Sequence, residues 1–588
     1  MVSKIFVLVL VLLIGAYISI SAADEFMKKK IEIGDEFLKS KVHPKIESNL
    51  LKPGVFGTGV QEATIKAVIE LNGTDESYES YLKSLEEKGA VIEAVHKNKV
   101  QVSVPASQIQ SIADLPFVNY VRSPRVPYKD VVVSEGVEVI NASKMHSMGF
   151  NGSGVKIAII DLGFSGYMSK LGTELPESVT VKSFRQGGDI EAGENHGTAV
   201  AEIVYDVAPN ASLYFINFDT DIEFASAVDY AISQNVDIIS MSVNWLAGPF
   251  DGTGDITEIV DNATSNGITW VNSAGNYAQR HWEGKFNGNI DNLTYFVPDD
   301  ELNSLGYLSP GSFVAVFLSW DDWPVSYQDY DLYLINGTGM PIDASVNDQS
   351  SGYPPYEGLV LYIPEPDYYS LAIHRYSATR DVNFELYSVF HNLQYKVPSS
   401  SLGIPADARD IITAGATRWS DDALELFSSR GPSNDGRTKP DLVAPDGVST
   451  ATYGLKSFYG TSASAPHIAG AAALLLSANG SLTRQQVKDA LESGAKDLGI
   501  EGKDNETGAG RIDVWNAYLQ IQPQQGCTGD QNGDSKINFN DFVMFAYAYN
   551  THAGDANYNV LADLNSNGVV DFNDFTVFAS VYGVICTP

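Results

Sequence analysis

Apolar and polar positions along this chain alternate with two different periods. Short apolar runs of strand length are separated by segments in which apolar residues recur every three or four positions, as on one face of a helix. The runs that predict strands are Val155–Asp161, Ser212–Phe218, Asp237–Val243, Ile268–Gly275 and Asp410–Thr417. The segments that predict helices are Thr198–Val207, Asp221–Asn235 and Asp255–Asn266. This alternation predicts an α/β domain over residues 130–280 and 400–519, with a mostly parallel sheet covered by helices and a site at the carboxyl ends of the strands.

Two further stretches are richer in strands. Residues 24–129 predict a small α+β unit, with strands at Ala63–Leu71, Val118–Val121 and twice within Val91–Val104, and with helices at Glu76–Gly89 and Ala106–Ala113. Residues 281–399 interrupt the α/β pattern and predict an inserted β-sandwich. Its strand-like runs are Phe313–Trp320, Tyr330–Ile335, Leu359–Ile363, Tyr368–His374 and Asn383–Tyr387.

Length, charge and the N-terminus bound the class of protein. A chain of 588 residues is too long for one core and predicts several domains. Its formal net charge of −35 argues against nucleic acid and anionic membrane surfaces as partners. Residues 1–23 predict an export signal, because Lys4 precedes the apolar run Ile5–Ile18 and small residues follow it. No other stretch of sequence is long and apolar enough to cross a bilayer, so we expect a secreted protein.

The C-terminal end contains a tandem repeat with an offset of 33 residues, after a short polar linker at 520–525. Each repeat places oxygen-bearing residues at positions 1, 3, 5, 7, 9 and 12 of a loop, which is the spacing that calcium takes in helix-flanked loops. The predicted ligands are Asp530, Asn532, Asp534, the Lys536 carbonyl, Asn538 and Asp541, then Asp563, Asn565, Asn567, the Val569 carbonyl, Asp571 and Asp574. The repeat therefore predicts a module at 526–588 that binds two Ca²⁺ ions, and the alternative is a pair of Asn/Asp-rich turns.

An acid, a base and a nucleophile occur in the order Asp161, His196 and Ser462. A serine hydroxyl needs a base within hydrogen-bond reach, and the base needs a group that fixes its tautomer. Asp161 ends a predicted strand, and Ser462 precedes an Ala- and Leu-rich helix predicted at Ile468–Ala478. Asn276 follows another strand and offers a side-chain donor for a developing oxyanion. Each residue alone is more often structural, but the four together predict a hydrolytic site.

These motifs resemble the subtilisin family of serine proteases. The resemblance rests on His196-Gly197-Thr198, on Val271 to Asn276 and on Gly460 to His467, with Phe427–Pro432 and Lys439–Pro445 in further agreement. It implies an endopeptidase that hydrolyses peptide bonds through an acyl-enzyme. It also implies that residues 24–129 are a prosegment, removed by a cut near Pro124 to Val133, and that Ser242, Val243, Asn244, Ala274 and Gly275 line the substrate cleft.

Two other resemblances concern the remaining segments. Asp329 to Leu334 and the Tyr-rich strand after it resemble prepeptidase C-terminal domains, which are jelly rolls. Further Ca²⁺ in the catalytic or inserted segment stays open, and Asp321, Asp322, Asp329 and Asp331 are either ligands of such an ion or solvated carboxylates at strand ends. The calcium repeat resembles a dockerin, which implies a cohesin-bearing scaffold or surface as partner and Phe539, Asn540, Phe572 and Asn573 as partner-binding residues. Phe542, Phe545, Tyr549, Phe575, Phe578 and Tyr582 share one helical face and predict core residues. Cys527 and Cys586 bracket the module, and in an exported chain we expect them to form a disulfide.

Together these observations predict a secreted, self-processing and monomeric serine endopeptidase that acts on proteins or peptides and is attached through a dockerin. No acidic residue in the cleft strands demands a basic substrate, so an apolar or broad preference is expected. Two alternatives remain open. The protease fold could be catalytically silent and serve as a calcium-dependent binding or scaffold component, or the C-terminal repeat could be a stabilising calcium cap without a partner.

Overall fold

The protein is described by a computed structural model. It describes residues 43–47, 50, 64–72, 78–125, 128–129, 135–288, 290–521, 528–532, 536–553, 555, 557–565 and 567–584. The predicted export signal lies outside these residues. The chain divides into two compact units, Met1–Trp515 and Asn516–Pro588. Among the helices described, none is long and apolar enough to span a membrane.

The N-terminal segment forms a four-stranded antiparallel sheet. Its strands, in order across the sheet, are Val91–His96, Lys99–Pro105, Thr64–Leu71 and Val118–Arg122. Two helices accompany it, Tyr78–Glu86 and Ile109–Ala113, and the second follows a 3₁₀ turn at Ala106–Gln108. Alternating apolar residues of the strands and of the Ile109–Ala113 helix enclose a core of their own.

A seven-stranded sheet forms the centre of the first unit, and every pair of neighbouring strands in it is parallel. From one edge to the other its strands are Leu442–Asp446, Ile412–Arg418, Thr269–Ser273, Ile238–Met241, Lys156–Asp161, Ser212–Asn217 and Thr180–Ser183. The expected parallel sheet is therefore confirmed. The two edge strands were not predicted from the sequence. Thr180–Ser183 is largely exposed and therefore lacks an apolar run, and Leu442–Asp446 contains a proline, which argues against a strand.

Seven described helices precede, connect or follow these strands in the chain. They are Ala142–Ser147, His196–Val207, Asp221–Ser233, Asp255–Ser265, Thr461–Ala478, Arg484–Gly494 and Val514–Ile521, with a 3₁₀ turn at Tyr167–Lys170. The helix predicted at Ile468–Ala478 was placed too late, because it begins at Thr461 and contains Pro466. A proline cannot donate to the carbonyl four residues earlier, which here belongs to Ser462. The Ser242 hydroxyl donates to that carbonyl instead, at 2.9 Å, so the helix can start before the proline.

The inserted segment is a β-sandwich whose two sheets share one apolar core. One sheet has the order His281–Lys285, Asn383–Ser388, Phe313–Trp320 and Tyr356–Tyr362. The other has the order Asn303–Leu308, Asp367–Ser377, Asp329–Asn336 and Pro341–Ser345. All strand pairs in both sheets are antiparallel. The five predicted strands are present, and three shorter ones complete the two sheets.

The second unit consists mainly of two ten-residue helices, Phe539–Ala548 and Phe572–Val581. Each begins with a reciprocal capping box, in which the N-cap side chain and the aspartate three residues later bond each other's backbone N–H groups. A two-residue strand pair, Thr551–His552 with Val569–Val570, lies between them in sequence. Phe545 and Phe578 are buried as predicted. Tyr549 and Tyr582 are instead 43% and 52% exposed, because each helix ends one residue earlier and the tyrosine leaves the apolar face.

Candidate active site

Asp161 and His196 form a buried hydrogen-bonded pair. Asp161 is the last residue of a central strand, and His196 is the first residue of the helix His196–Val207. His196 Nδ1 lies 2.8 Å from Asp161 Oδ2 and 3.0 Å from Oδ1, and both residues are 0% exposed. The Leu162 N–H also donates to Asp161 Oδ1, at 2.7 Å. These bonds fix the imidazole so that Nε2 points away from the carboxylate, and Nε2 has no hydrogen-bond partner among the described residues.

Ser462 is the second residue of the eighteen-residue helix Thr461–Ala478. This helix packs against the His196 helix, and the ring of Phe458, just before it, meets the His196 ring edge-on at 5.7 Å. The Ser462 hydroxyl donates to the Ser242 carbonyl at 3.3 Å. The backbone N–H groups and dipole of the helix N-terminus favour negative charge at this position. A hydroxyl at this position therefore lies beside backbone N–H groups that would stabilise negative charge developing on a carbonyl oxygen that it attacks.

The amide of Asn276 is oriented by the first residue of the Ser462 helix. Asn276 Oδ1 accepts from the Thr461 N–H at 3.0 Å and from the Thr461 hydroxyl at 3.2 Å. The hydroxyl in turn accepts from the Gly275 N–H at 3.1 Å. Asn276 Nδ2 is buried and has no partner among the described residues. A buried donor left open in this way suits an oxygen that gains charge only during a reaction.

A short strand that follows the N-terminal sheet pairs with the strand Val243–Asn244. Tyr128–Lys129 pairs antiparallel with Val243–Asn244, so that Tyr128 lies opposite Asn244 and Lys129 opposite Val243. In this register Lys129 lies one position before the place opposite Ser242, whose carbonyl accepts from the Ser462 hydroxyl. The segment therefore adds a strand directly beside the residue whose carbonyl contacts Ser462.

Ala274, Gly275 and Asn244, which were also predicted to line the cleft, are buried near the end of the strand Thr269–Ser273. Ala274 and Gly275 follow the strand Thr269–Ser273, and Gly275 has a φ of 108°. A Cβ at Gly275 would come within 2.9 Å of the Ser429 hydroxyl and 2.7 Å of the Tyr277 ring, so glycine is required there on both grounds. The buried Asn244 side chain donates to the Ser273 hydroxyl at 3.0 Å.

Sequence reasoning missed Asp446, which holds the turn before the nucleophile. Asp446 ends an edge strand, and its Oδ2 accepts from the N–H of Gly460, the N-cap of the Ser462 helix, at 2.8 Å. Burial raises the pKa of Asp446 to about 7, although the bond from Gly460 and the charge of Arg418 act in the opposite direction. The signal that could have found it is an acidic residue at the carboxyl end of a strand, as for Asp161, but that strand was not predicted.

In each C-terminal loop, the carboxylates at the first and last positions are buried. Asp541 accepts from the N–H groups of Asn532 and Asn538, and Asp574 accepts in the same way from Asn565 and Asp571. The carboxylates at positions 1 and 12 are at most 6% exposed, namely those of Asp530, Asp541, Asp563 and Asp574. Buried carboxylates of this kind fit a compensating cation, and a donor set made only of oxygens fits Ca²⁺.

The residues predicted to bind a partner lie at the starts of the two helices. Three other predicted residues lie outside the described part of the chain. Phe539 and Phe572 each begin a helix and are 63% and 64% exposed, with Asn540 and Asn573 beside them. Asp534, Cys527 and Cys586 lie outside the described residues. Among the residues that are described, no three His, Cys, Asp or Glu side chains form a metal-binding cluster. In the inserted sandwich, Asp321 and Asp322 pair with Arg380.

Comparisons with known proteins agree with this geometry. Residues 152–305 and 392–510 match the model of the Subtilase family. The chain is 30% identical to subtilisin E of Bacillus subtilis (strain 168) over 210 residues, which are 33% of this chain and 53% of that protein. It is 32% identical to the major intracellular serine protease of the same strain over 196 residues, 30% of this chain and 57% of that protein. The chain thus spans about half the length of these relatives.

A longer alignment covers most of the chain at lower identity. The minor extracellular protease Vpr of Bacillus subtilis (strain 168) is 24% identical over 580 aligned residues, which cover 80% of this chain and 70% of Vpr. Among solved structures, that of the CspB protease of Clostridium perfringens has a TM-score of 0.49 and 16% identity, and covers 66% of this chain and 100% of that chain. The family match covers two segments that contain Asp161, His196, Asn276 and Ser462, and it leaves out most of the inserted sandwich.

Proposed function

We propose that this protein is a secreted serine endopeptidase that hydrolyses proteins or peptides. The observation that carries the proposal is the buried Asp161–His196 pair, whose free Nε2 lies in the site that also contains Ser462 and the open Asn276 donor. An imidazole bonded to a carboxylate through Nδ1 can take a proton at Nε2 and share the resulting charge with that carboxylate.

The reaction would proceed in two halves. His196 Nε2 removes the Ser462 hydroxyl proton while Oγ attacks the peptide carbonyl carbon, and the carbonyl oxygen becomes an oxyanion bound by Asn276 Nδ2 and the N–H groups of the helix N-terminus. His196 then gives the proton to the leaving amine, the C–N bond breaks and an acyl-enzyme remains. Water, deprotonated by His196, attacks this ester and releases the acid and Ser462.

The position of Tyr128–Lys129 supports self-processing of a prosegment. The pairing of Tyr128–Lys129 with Val243–Asn244 supports a cut shortly after Lys129, within the expected stretch Pro124 to Val133. The same pairing supports Ser242 to Asn244 as the strand that binds extended substrates. The remaining β-sheet of the prosegment would stay on the protease until it dissociates.

The test is the intact mass of folded residues 24–588 in calcium, compared with Ser462→Ala. The wild type should lose a segment ending near residues 124–133, and the variant should stay whole. Ser464→Ala is a matched control, because its hydroxyl lies in the same helix and donates to the Ala444 carbonyl at 2.9 Å, outside the site. It should process like the wild type. If the folded wild type also stays whole, self-processing is wrong and the silent-scaffold alternative is favoured.

For the C-terminal unit we propose a dockerin that binds two Ca²⁺ ions and attaches the protease to a cohesin-bearing scaffold or surface. The equivalent bonds of Asp541 and Asp574 and the equal exposure of Phe539 and Phe572 support two similar faces, on which Asn540 and Asn573 would contact the partner. A disulfide between Cys527 and Cys586 would join the two ends of the module.

A panel of cohesin domains tests this attachment. Full-length Ser462→Ala protein should retain at least one of them in calcium and release it in a chelator. Replacing both Phe539 and Phe572 with alanine should abolish retention, while Tyr547→Ala, a 72% exposed aromatic on the first helix, should preserve it. If no cohesin binds while calcium still raises the melting temperature of the unit, the repeat is a stabilising calcium cap.

A further inference from the structure

A cavity of about 380 Å³ lies where three parts of the first unit meet. The prosegment contributes Tyr120 and the run Arg122 to Arg125, and the protease contributes Trp245 to Ala247, which directly follow the strand Val243–Asn244. The inserted sandwich contributes the third side, with Gln349, Tyr353 and Tyr356 among its lining residues. The insertion therefore touches the chain that leads into the cleft.

The prosegment residues in this cavity lie upstream of the strand that occupies the cleft. Ser123 to Arg125 precede the paired strand Tyr128–Lys129 by only a few residues, and Arg125 is held by a backbone bond, since its carbonyl accepts from the Asp221 N–H at 3.1 Å. A substrate that follows the same path as the prosegment would place part of its chain in this cavity. That part would be the residues about four to seven positions N-terminal to the residue opposite Ser242.

The walls of the cavity have distinct chemistry. On the sandwich side, the Tyr353 ring contacts the Tyr120 ring at 4.9 Å, and Tyr353 and Tyr356 are both only half-buried even with the prosegment in place. On the protease side, Asp255 lines an adjoining cavity that shares Arg125 with this one, and its carboxylate lies 3.9 Å from Arg125. Burial would raise the pKa of Asp255, but the charges of Arg125 and Lys99 outweigh it and lower the pKa to about 2. Aromatic and acidic side chains thus face the same upstream segment.

We propose that the inserted β-sandwich forms the far wall of the substrate groove, where Tyr353 and Tyr356 bind the upstream segment of an extended polypeptide. The preferred segment has an aromatic or apolar residue against the tyrosines and a basic residue toward Asp255. This inference rests on the proposed protease function and adds a substrate preference to it. The prosegment binds this wall first, and substrates bind there after the prosegment has dissociated.

Two synthetic peptides of this chain's own sequence test the wall with the matured enzyme. Residues 119–135 reach the cavity, whereas residues 127–135 contain only the part that enters the cleft. The wild type should cleave the longer peptide with a kcat/KM about tenfold higher, as one or two well-buried contacts would provide. The double variant Tyr353→Ala, Tyr356→Ala should lose most of this advantage and cleave the shorter peptide as the wild type does.

The control is Tyr368→Ala, a tyrosine on the sandwich that is 62% exposed and is not part of the cavity lining. It should leave both peptides unaffected. If the wild type cleaves both peptides equally well, or if the double variant loses the same factor on both, the inference is wrong.

A second measurement does not depend on activity. In the Ser462→Ala precursor, Tyr353→Ala should increase hydrogen exchange of the backbone amides at 119–125, and Tyr368→Ala should not. Unchanged exchange would overturn the inference even if both peptides are cleaved. If the wild type cleaves no peptide or protein at all, the proposed function fails, and the exchange result still decides whether the sandwich holds this segment.

Discussion

The site in the first unit and the loops in the second are built in opposite ways. Asp161 and His196 lie 35 positions apart in sequence, and Ser462 follows 266 positions later. Each C-terminal loop instead takes its predicted ligands from twelve consecutive residues. The first site therefore depends on how a parallel sheet and two helices pack, whereas the second depends on local turns and on a cation.

This difference predicts different failures. Removing one side chain from the dispersed site should stop chemistry without unfolding the domain, because strands and helices hold the other residues in place. Removing one ligand from a local loop should weaken the structure of the loop, because few other contacts hold buried carboxylates together.

The largest effect is expected for Asp161→Asn. The amide would present an N–H to His196 Nδ1 and favour the tautomer that cannot accept the Ser462 proton, so kcat should fall about 10⁴-fold. The kcat of the variant measures the loss of chemistry, and its melting temperature shows whether the domain stays folded. Asp229→Asn, an exposed position on the helix Asp221–Ser233, is the control. A loss below tenfold would contradict the assigned pair.

Asn276→Ala should have the next largest effect. Without the Nδ2 donor, the oxyanion loses one hydrogen bond that forms only during the reaction, so kcat should fall about 10²–10³-fold with KM nearly unchanged. Steady-state kinetics on a short peptide separates the two parameters. A rise in KM with constant kcat would place Asn276 in ground-state binding instead.

The calcium loops should show the opposite response. At a calcium concentration a hundred times Kd, binding stabilises the unit by about 2.7 kcal/mol, and Asp541→Ala with Asp574→Ala should remove this calcium dependence. Calorimetry with and without a chelator measures it, and peptide cleavage should not change. Asp555→Ala, an exposed carboxylate outside the two repeats, is the control. An equal calcium shift in the double variant would exclude these ligands.

A smaller effect with a defined pH dependence is expected at Asp446. Its folded-state pKa of about 7 lies above the ordinary 3.8, so the stability it contributes is present below pH 4 and is lost as pH rises toward 7. Asp446→Asn keeps an oxygen for the Gly460 N–H and cannot ionise. In the Ser462→Ala background it should therefore be more stable than its parent at pH 8 and nearly unchanged in stability at pH 4. Denaturant unfolding at both pH values tests this, and a gain that is independent of pH would contradict it.

The smallest effect is expected for Thr461→Val, which removes one of the bonds that position Asn276. One neutral hydrogen bond corresponds to a loss of about tenfold in kcat. Because Thr461 acts through Asn276, the same change should have no further effect in the Asn276→Ala background. An additive loss in that double variant would mean that Thr461 acts independently of the amide.

The sequence by itself determined much of this protein. The strands that end at Asp161 and Ser273, the helix that begins at Asp221 and the duplicated loops follow from apolar periodicity and from turn and cap residues, which act over a few positions. The four candidate site residues could be named because their motifs resemble those of one family. The start of the Ser462 helix could not be predicted, because Pro466 argues for a later start unless another residue bonds the Ser462 carbonyl.

Only the tertiary structure decided which distant groups meet. The Ser242 hydroxyl on the Ser462 carbonyl, Asp446 on the Gly460 N–H and Tyr353 against Tyr120 join residues far apart in sequence. No periodic pattern encodes such contacts, because they depend on how whole sheets and helices pack. The inserted sandwich shows this most clearly. Its strands can be predicted from the sequence, but its contact with Tyr120 follows from packing that no single segment specifies.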